Sequence, residues 1–61
     1  MNQIATNAGD ELLRARLESG LSLMKLAIFA NTYSEEISQI ETGMHEVSFE
    51  QLQSLLSLTQ H

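Results

Sequence analysis

A chain of 61 residues has room for one domain, and this one carries three basic and eight acidic side chains and no cysteine. The lack of cysteine excludes disulfides and thiolate metal sites. The apolar runs are too short to span a membrane and the N-terminus lacks a signal-peptide pattern, so we expect a cytoplasmic protein without a membrane partner.

The domain is predicted over residues 8–61, after a flexible lead over residues 1–7. Its first helix covers residues 8–19, with Thr6 or Asn7 placed to cap the start. Apolar side chains recur along this helix at helical spacing, at Leu12, Leu13 and Leu17.

Gly20 suits the left-handed conformation that ends many helices. The second helix is predicted over residues 23–30, with Ser22 as its N-cap. Its predicted buried face consists of Leu26, Ala27 and Ala30. Asn31 tolerates a positive φ better than most residues, so we expect the helix to end there.

A third helix is predicted to begin at Thr32, because Thr32-x-x-Glu35 has the pattern of a capping box. Ile37 and Ile40 form its apolar stripe, and Gly43 ends it.

A second capping box, Ser48-x-x-Gln51, is predicted to open a fourth helix over residues 49–58. The predicted core face of this helix consists of Phe49, Leu52, Leu55, Leu56 and Leu58. Residues 44–47 are predicted to form a loop, and residues 59–61 a frayed end.

The second and third helices are separated by about three residues, as in a helix-turn-helix unit, although a generic four-helix bundle has similar spacing. From Leu13 to Leu58 the chain resembles the Cro/phage-repressor, or Xre, family. The residues that carry the resemblance are Arg16, Gly20-Leu21-Ser22, Leu26-Ala27, the 37–43 segment Ile-Ser-Gln-Ile-Glu-x-Gly, and Ser48-Phe49-Glu50-x-Leu52.

The resemblance implies an all-α, compact, lambda-repressor-like domain of four helices, or of five. It makes residues 23–30 the scaffold helix and residues 33–42 the recognition helix. It also implies a structural ion pair between Arg16 on the first helix and Glu41 at the end of the third.

The expected DNA-reading surface departs from the family pattern. Where the family usually has Gln at the start of helix 2, this chain has Leu23, and the loop after helix 3 has Met44 in place of a basic residue. The front of the recognition helix carries Glu35 and Glu36. Gln39 alone is of a residue type that typically contacts DNA bases in the family. DNA binding draws much of its free energy from Lys and Arg, so these departures weaken the prediction of DNA binding.

Apolar side chains occupy positions that are often polar in the family: Leu23, Met24, Ile28, Phe29 and Tyr33. Met24 and Ile28 are predicted to form an exposed stripe, and exposed apolar patches usually mark interaction sites. The alternative is a repacked core that draws Phe29 inward. The four predicted helices account for residues 8–58, so we also expect no counterpart of the family's fifth helix to cover the apolar edges of the first and fourth helices.

These features favour a transcription-control protein that binds another protein, such as a repressor, in the manner of a small phage antirepressor or modulator of repression. The predicted partner-binding residues are Leu23, Met24, Ile28, Tyr33, Ser34, Glu35, Glu36, Gln39 and Met44. A homodimer or heterodimer is expected. The alternative is a DNA-binding regulator that reads a palindrome as a homodimer through Ser34, Glu35 and Gln39.

An enzyme is not expected, because the sequence shows no set of polar groups that would converge in a cleft. His45 and His61 have no second ligand at a useful spacing, so neither a metal site nor a cofactor is expected.

Overall fold

The computed structural model describes residues 7–60, which fold into four α-helices. These are α1 (Ala8–Ser19), α2 (Leu23–Ala30), α3 (Ser34–Glu41) and α4 (Phe49–Leu58). The prediction of a compact all-α domain with four helices is therefore confirmed. Thr6, most of the predicted flexible lead and His61 lie outside the described residues.

The start of α1 differs from the predicted cap. Asn7 occupies the N-cap position with a φ of 61°, and its side chain makes no capping hydrogen bond. The first turn instead carries Asp10 and Glu11, which interact favourably with the positive end of the helix. At the other end Gly20 has the predicted left-handed conformation, with a φ of 76°.

Both ends of α2 form as the sequence predicts. The Ser22 hydroxyl accepts a hydrogen bond of 3.0 Å from the Lys25 amide at the start of α2. Asn31 ends the helix with a φ of 57°. The Thr32 amide then donates to the Ala27 carbonyl over 2.9 Å, which satisfies a carbonyl that the helix leaves open. Residues 31–33 alone separate the two helices.

The core contains at least one fully buried large side chain from each helix: Leu12, Leu26, Ile37 and Leu52. Smaller contributions surround them, namely Ala8, Ala27, Ile40, Val47 and Leu55. The predicted apolar faces of α2 and α3 are thereby confirmed at Leu26 and Ala27 and at Ile37 and Ile40. Val47 belongs to the loop before α4, so its burial did not appear in the helical periodicity.

The predicted core position of Phe49 is wrong, and Leu17, one of the recurring leucines of α1, is also exposed. Leu17 is 61% exposed and Phe49 is 54% exposed. Leu17 lies five residues after Leu12, about 140° around the helix from it. Phe49 is the first residue of α4, nearly one turn before the buried Leu52, so it lies at the end of the helix.

The predicted frayed end is also wrong at Thr59. This residue is buried, and its hydroxyl donates a hydrogen bond of 2.7 Å to the Leu56 carbonyl. The hydrogen bond satisfies the hydroxyl, which would otherwise carry the cost of an unpaired buried polar group.

The N-terminal turn of α1 sits directly against the C-terminal end of α3. A Cβ atom on Gly9 would overlap the Ile40 carbonyl oxygen and would lie 2.7 Å from the Glu41 carbonyl oxygen. Glycine is therefore required at this position by close packing rather than by its backbone angles. The contact fixes where α3 ends relative to α1.

Candidate functional site

Arg16 and Glu41 join α1 to α3. The Arg16 Nε donates to one Glu41 carboxylate oxygen over 2.7 Å, and Nη2 donates to the other over 3.1 Å. Both side chains are largely buried, with 11% and 6% exposed. The hydrogen bonds to Glu41 raise the pKa of Arg16, so the guanidinium keeps its charge. The structure thus forms the ion pair expected from the resemblance.

The third nitrogen of the same guanidinium reaches the α1–α2 turn. Arg16 Nη1 donates to the Leu21 carbonyl over 2.9 Å. All three nitrogens of Arg16 therefore have partners inside the domain, and its charge is paired with the Glu41 carboxylate, so this cation is engaged in the fold rather than presented to a phosphate or a ligand.

The remaining two basic side chains of the sequence, Arg14 and Lys25, are exposed. Neither forms an ion pair with a residue in the 7–60 span. Arg14 lies on α1 and Lys25 in the first turn of α2, so the eight residues of α3 contain no basic side chain. The domain has little positive charge with which to contact a polyanion.

The first turn of α3 forms differently from the predicted capping box. Tyr33, rather than Thr32, is the N-cap residue, and its side chain makes no capping hydrogen bond. The Thr32 hydroxyl donates instead to a carboxylate oxygen of Glu36. The predicted partner Glu35 is left exposed. A polar contact therefore does form at this position, but the Thr32 hydroxyl donates to a carboxylate, whereas the capping box would have it accept from the Glu35 amide.

The front of α3 lines an open depression of about 610 Å³, whose wall is made by Tyr33, Ser34, Glu35, Glu36, Gln39 and His45. We call this surface the α3 depression. The structure thereby brings together five of the nine predicted partner-binding residues. Tyr33 stands at its edge with 82% of its surface exposed.

His45 is the member that sequence reasoning did not assign to this surface. The chain turns back after Gly43, which has a φ of 82°, and the amides of Met44 and His45 both donate to the Gln39 carbonyl, over 2.9 and 3.1 Å. This turn returns His45 to the front of α3. The only sequence signal for it was the glycine that permits the turn. Met44, next to it, is 80% exposed.

The apolar positions of α2 divide into two groups. Met24 and Ile28 are exposed, at 67% and 66%, so the predicted exposed stripe is present. Leu23 is partly buried and packs against the core, which makes it a poor candidate for direct partner contact. Phe29 is 43% exposed, so the alternative in which it moves into the core is wrong.

Within residues 7–60, three or more histidine, cysteine or acidic side chains nowhere come together in a group that could hold a metal ion. The same span contains no helix with the length and apolar content needed to cross a membrane. No protein family, curated protein or solved structure matches this chain.

Proposed function

We propose that this chain is a transcription-control protein on a helix-turn-helix scaffold of the Cro/Xre type, and that it acts by binding another protein rather than by reading DNA. The partner would be a repressor or a related transcription factor. One observation carries the proposal. The front of α3, which would read DNA, presents acidic and exposed apolar side chains and contains none of the three lysine and arginine residues of the sequence.

The scaffold part of the proposal is supported by the arrangement of α2 and α3. Two helices of eight residues each are joined by residues 31–33 and pack against each other around Leu26 and Ile37. Short helices with such a connection are typical of a helix-turn-helix unit. The Arg16–Glu41 pair then fixes the end of α3 to α1.

The choice of a protein partner over DNA is supported by electrostatics. Each phosphate contact made by a cation contributes to affinity and to its salt dependence. Because Arg16 is largely buried and paired with Glu41, Arg14 and Lys25 are the exposed cations left for such contacts in the described part of the chain. Two contacts per chain correspond to a logarithmic salt slope of about −2, well below that of a strong DNA binder.

The exposed apolar side chains also favour a protein partner. Met24, Ile28, Tyr33 and Met44 are each at least 66% exposed. Large apolar side chains surrounded by polar ones commonly mark protein interaction surfaces, where aromatic residues and methionine are enriched. A cytoplasmic location is part of the same proposal, since such a partner acts there.

DNA reading by a homodimer is the second candidate, and the position of Gln39 favours it. Gln39 and Ser34 line the same depression, and both side chain types can bond base edges. The exposed Glu35 could accept a hydrogen bond from a cytosine amine. The nearby carboxylate of Glu36 opposes this candidate, because it would approach phosphates without a compensating cation.

Fluorescence anisotropy with duplex DNA, measured over a series of salt concentrations, separates the two candidates. We expect weak binding with a shallow salt slope. The tagged chain should then capture a DNA-binding protein from its host, and adding purified chain to that protein on its operator should release the DNA. Sequence-dependent DNA binding by this chain with a steep salt slope would falsify the proposal.

A further inference from the structure

The α3 depression combines three chemical features within one open surface. Its edge is an exposed aromatic ring, Tyr33. Two acidic residues, Glu35 and Glu36, are part of its wall. Its six lining residues include His45 but no lysine or arginine. The depression therefore presents negative charge beside an aromatic face.

One of the two carboxylates is held in place. Thr32 donates its hydroxyl to Oε2 of Glu36, and Glu36 is partly buried. This bond limits the rotation of the carboxylate, and it is made by Oε2 and not by Oε1. A carboxylate that is already oriented loses less conformational entropy when it binds.

We infer that the α3 depression binds an arginine side chain presented by a basic helix of the partner protein, an inference that rests on the proposed function. A guanidinium stacks on aromatic rings and forms directional hydrogen bonds to carboxylates. Tyr33 provides the ring, and Glu35 and Glu36 provide the acceptors. The ammonium of lysine is more strongly hydrated and lacks the planar group, so lysine fits this surface less well.

Charge complementarity argues for a basic protein segment as the occupant. The net charge of the chain is −5, and the first turn of α3 contributes two of the eight acidic residues. A partner with a basic helix would be attracted over a distance and oriented before contact. The exposed thioether of Met44, beside His45, can contact the apolar stem of a long basic side chain.

A direct test uses the isotope-labelled 61-residue chain and a synthetic probe, an alanine-based helical peptide with two arginines four residues apart. Amide shifts in NMR spectra at low ionic strength should map to residues 33–39 and to His45. The same peptide with lysines should bind several-fold more weakly. The peptide with glutamines should not bind.

Variants assign the binding to the named side chains. The double variant Glu35→Gln/Glu36→Gln should weaken binding of the arginine peptide about tenfold, because it removes both carboxylate partners. Tyr33→Ser should weaken it about threefold through loss of the aromatic face. The matched control Asp10→Asn/Glu11→Gln makes the same charge change in the first turn of α1 and should leave binding within twofold of the original. Circular dichroism verifies that each variant is folded.

Two outcomes overturn the inference. Equal affinity for the arginine and lysine peptides would exclude guanidinium recognition, and equal shifts at Asp10 and Glu11 would show general attraction to any acidic turn. The proposed function is tested separately with the captured partner. If a Glu35→Lys/Glu36→Lys chain still releases the partner from DNA, the α3 depression is not the docking surface although the function stands.

Discussion

The guanidinium of Arg16 contacts both oxygens of Glu41 across the α1–α3 interface, at 2.7 and 3.1 Å. Since 25 residues separate the two in the chain, this pair links the first helix to the last residue of α3. The pair is largely shielded from solvent, so removing one partner would leave the charge of the other buried and unpaired.

Arg16→Ala should lower the free energy of unfolding by about 3 kcal/mol, because it leaves the Glu41 carboxylate buried without a partner. Urea unfolding followed by circular dichroism measures the change. Arg14→Ala removes the same charge from an exposed position of the same helix and should change stability by less than about 0.5 kcal/mol. A second check is Arg16→Met/Glu41→Leu, which should recover part of the lost stability. Equal effects of the two single arginine variants would contradict a structural role for the pair.

Gly9→Ala should destabilise the domain by about 2 kcal/mol, although alanine is normally the better helix former. The added methyl would press against the Ile40 and Glu41 carbonyl oxygens, which are backbone atoms and cannot turn away. Thermal unfolding of the variant measures the loss.

Gly43→Ala is the control for the Gly9 prediction. Gly43 has open space around its Cβ position, but its φ of 82° disfavours other residues, so the cost should be about 1 kcal/mol from backbone strain alone. A Gly9→Ala protein that is more stable than the original would show that α1 and α3 are further apart than described.

Glu36→Gln and Glu35→Gln distinguish the observed bond at the start of α3 from the predicted capping box. We expect Glu36→Gln to cost about 1 kcal/mol, because it weakens the charge-assisted bond from Thr32. Glu35→Gln should change stability by only a few tenths of a kcal/mol, since the side chain is exposed. Chemical denaturation of both variants in one buffer makes the comparison. A larger loss of stability for Glu35→Gln than for Glu36→Gln would support the predicted capping box instead of the observed bond.

Met24→Ser and Ile28→Ser should each alter the free energy of unfolding by less than about 0.5 kcal/mol, because both side chains are already exposed. Leu26→Ala, on the same helix but fully buried, should cost about 3 kcal/mol. If either serine variant unfolds the domain, the stripe on α2 is part of the core. If both are stable but no longer bind the captured partner, α2 also belongs to the interaction surface.

The helix boundaries could be predicted wherever local chemistry decides them. Ser22 and Ser48 cap α2 and α4 through their hydroxyls, and Gly20 and Asn31 end helices in left-handed conformations, all as predicted. These features depend on a few adjacent residues. The start of α3 was misplaced because the Thr32 hydroxyl donates to the Glu36 carboxylate instead of accepting from the Glu35 amide as a capping box requires, and the spacing of the residues does not choose between the two arrangements.

Features that depend on distant parts of the chain were harder to predict. Gly9 is required because α3 approaches it, and Val47 is buried because the loop folds over the core. Neither residue stands out by periodicity. Five predicted partner-binding residues do share one surface, since helical spacing fixes their relative positions. The contribution of His45 depended on the path of the turn after Gly43.

A single guanidinium bonds to Glu41 in α3 and to the Leu21 carbonyl in the α1–α2 turn while its own backbone belongs to α1. Local opening of the end of α3 must therefore break the bonds between Glu41 and the Arg16 side chain of α1. We expect the backbone amides at the end of α3 and around Arg16 in α1 to gain and lose protection against exchange with solvent deuterium together, as in one cooperative unit. A molecule with this coupling would present its outer face to a partner with little freedom to reshape it.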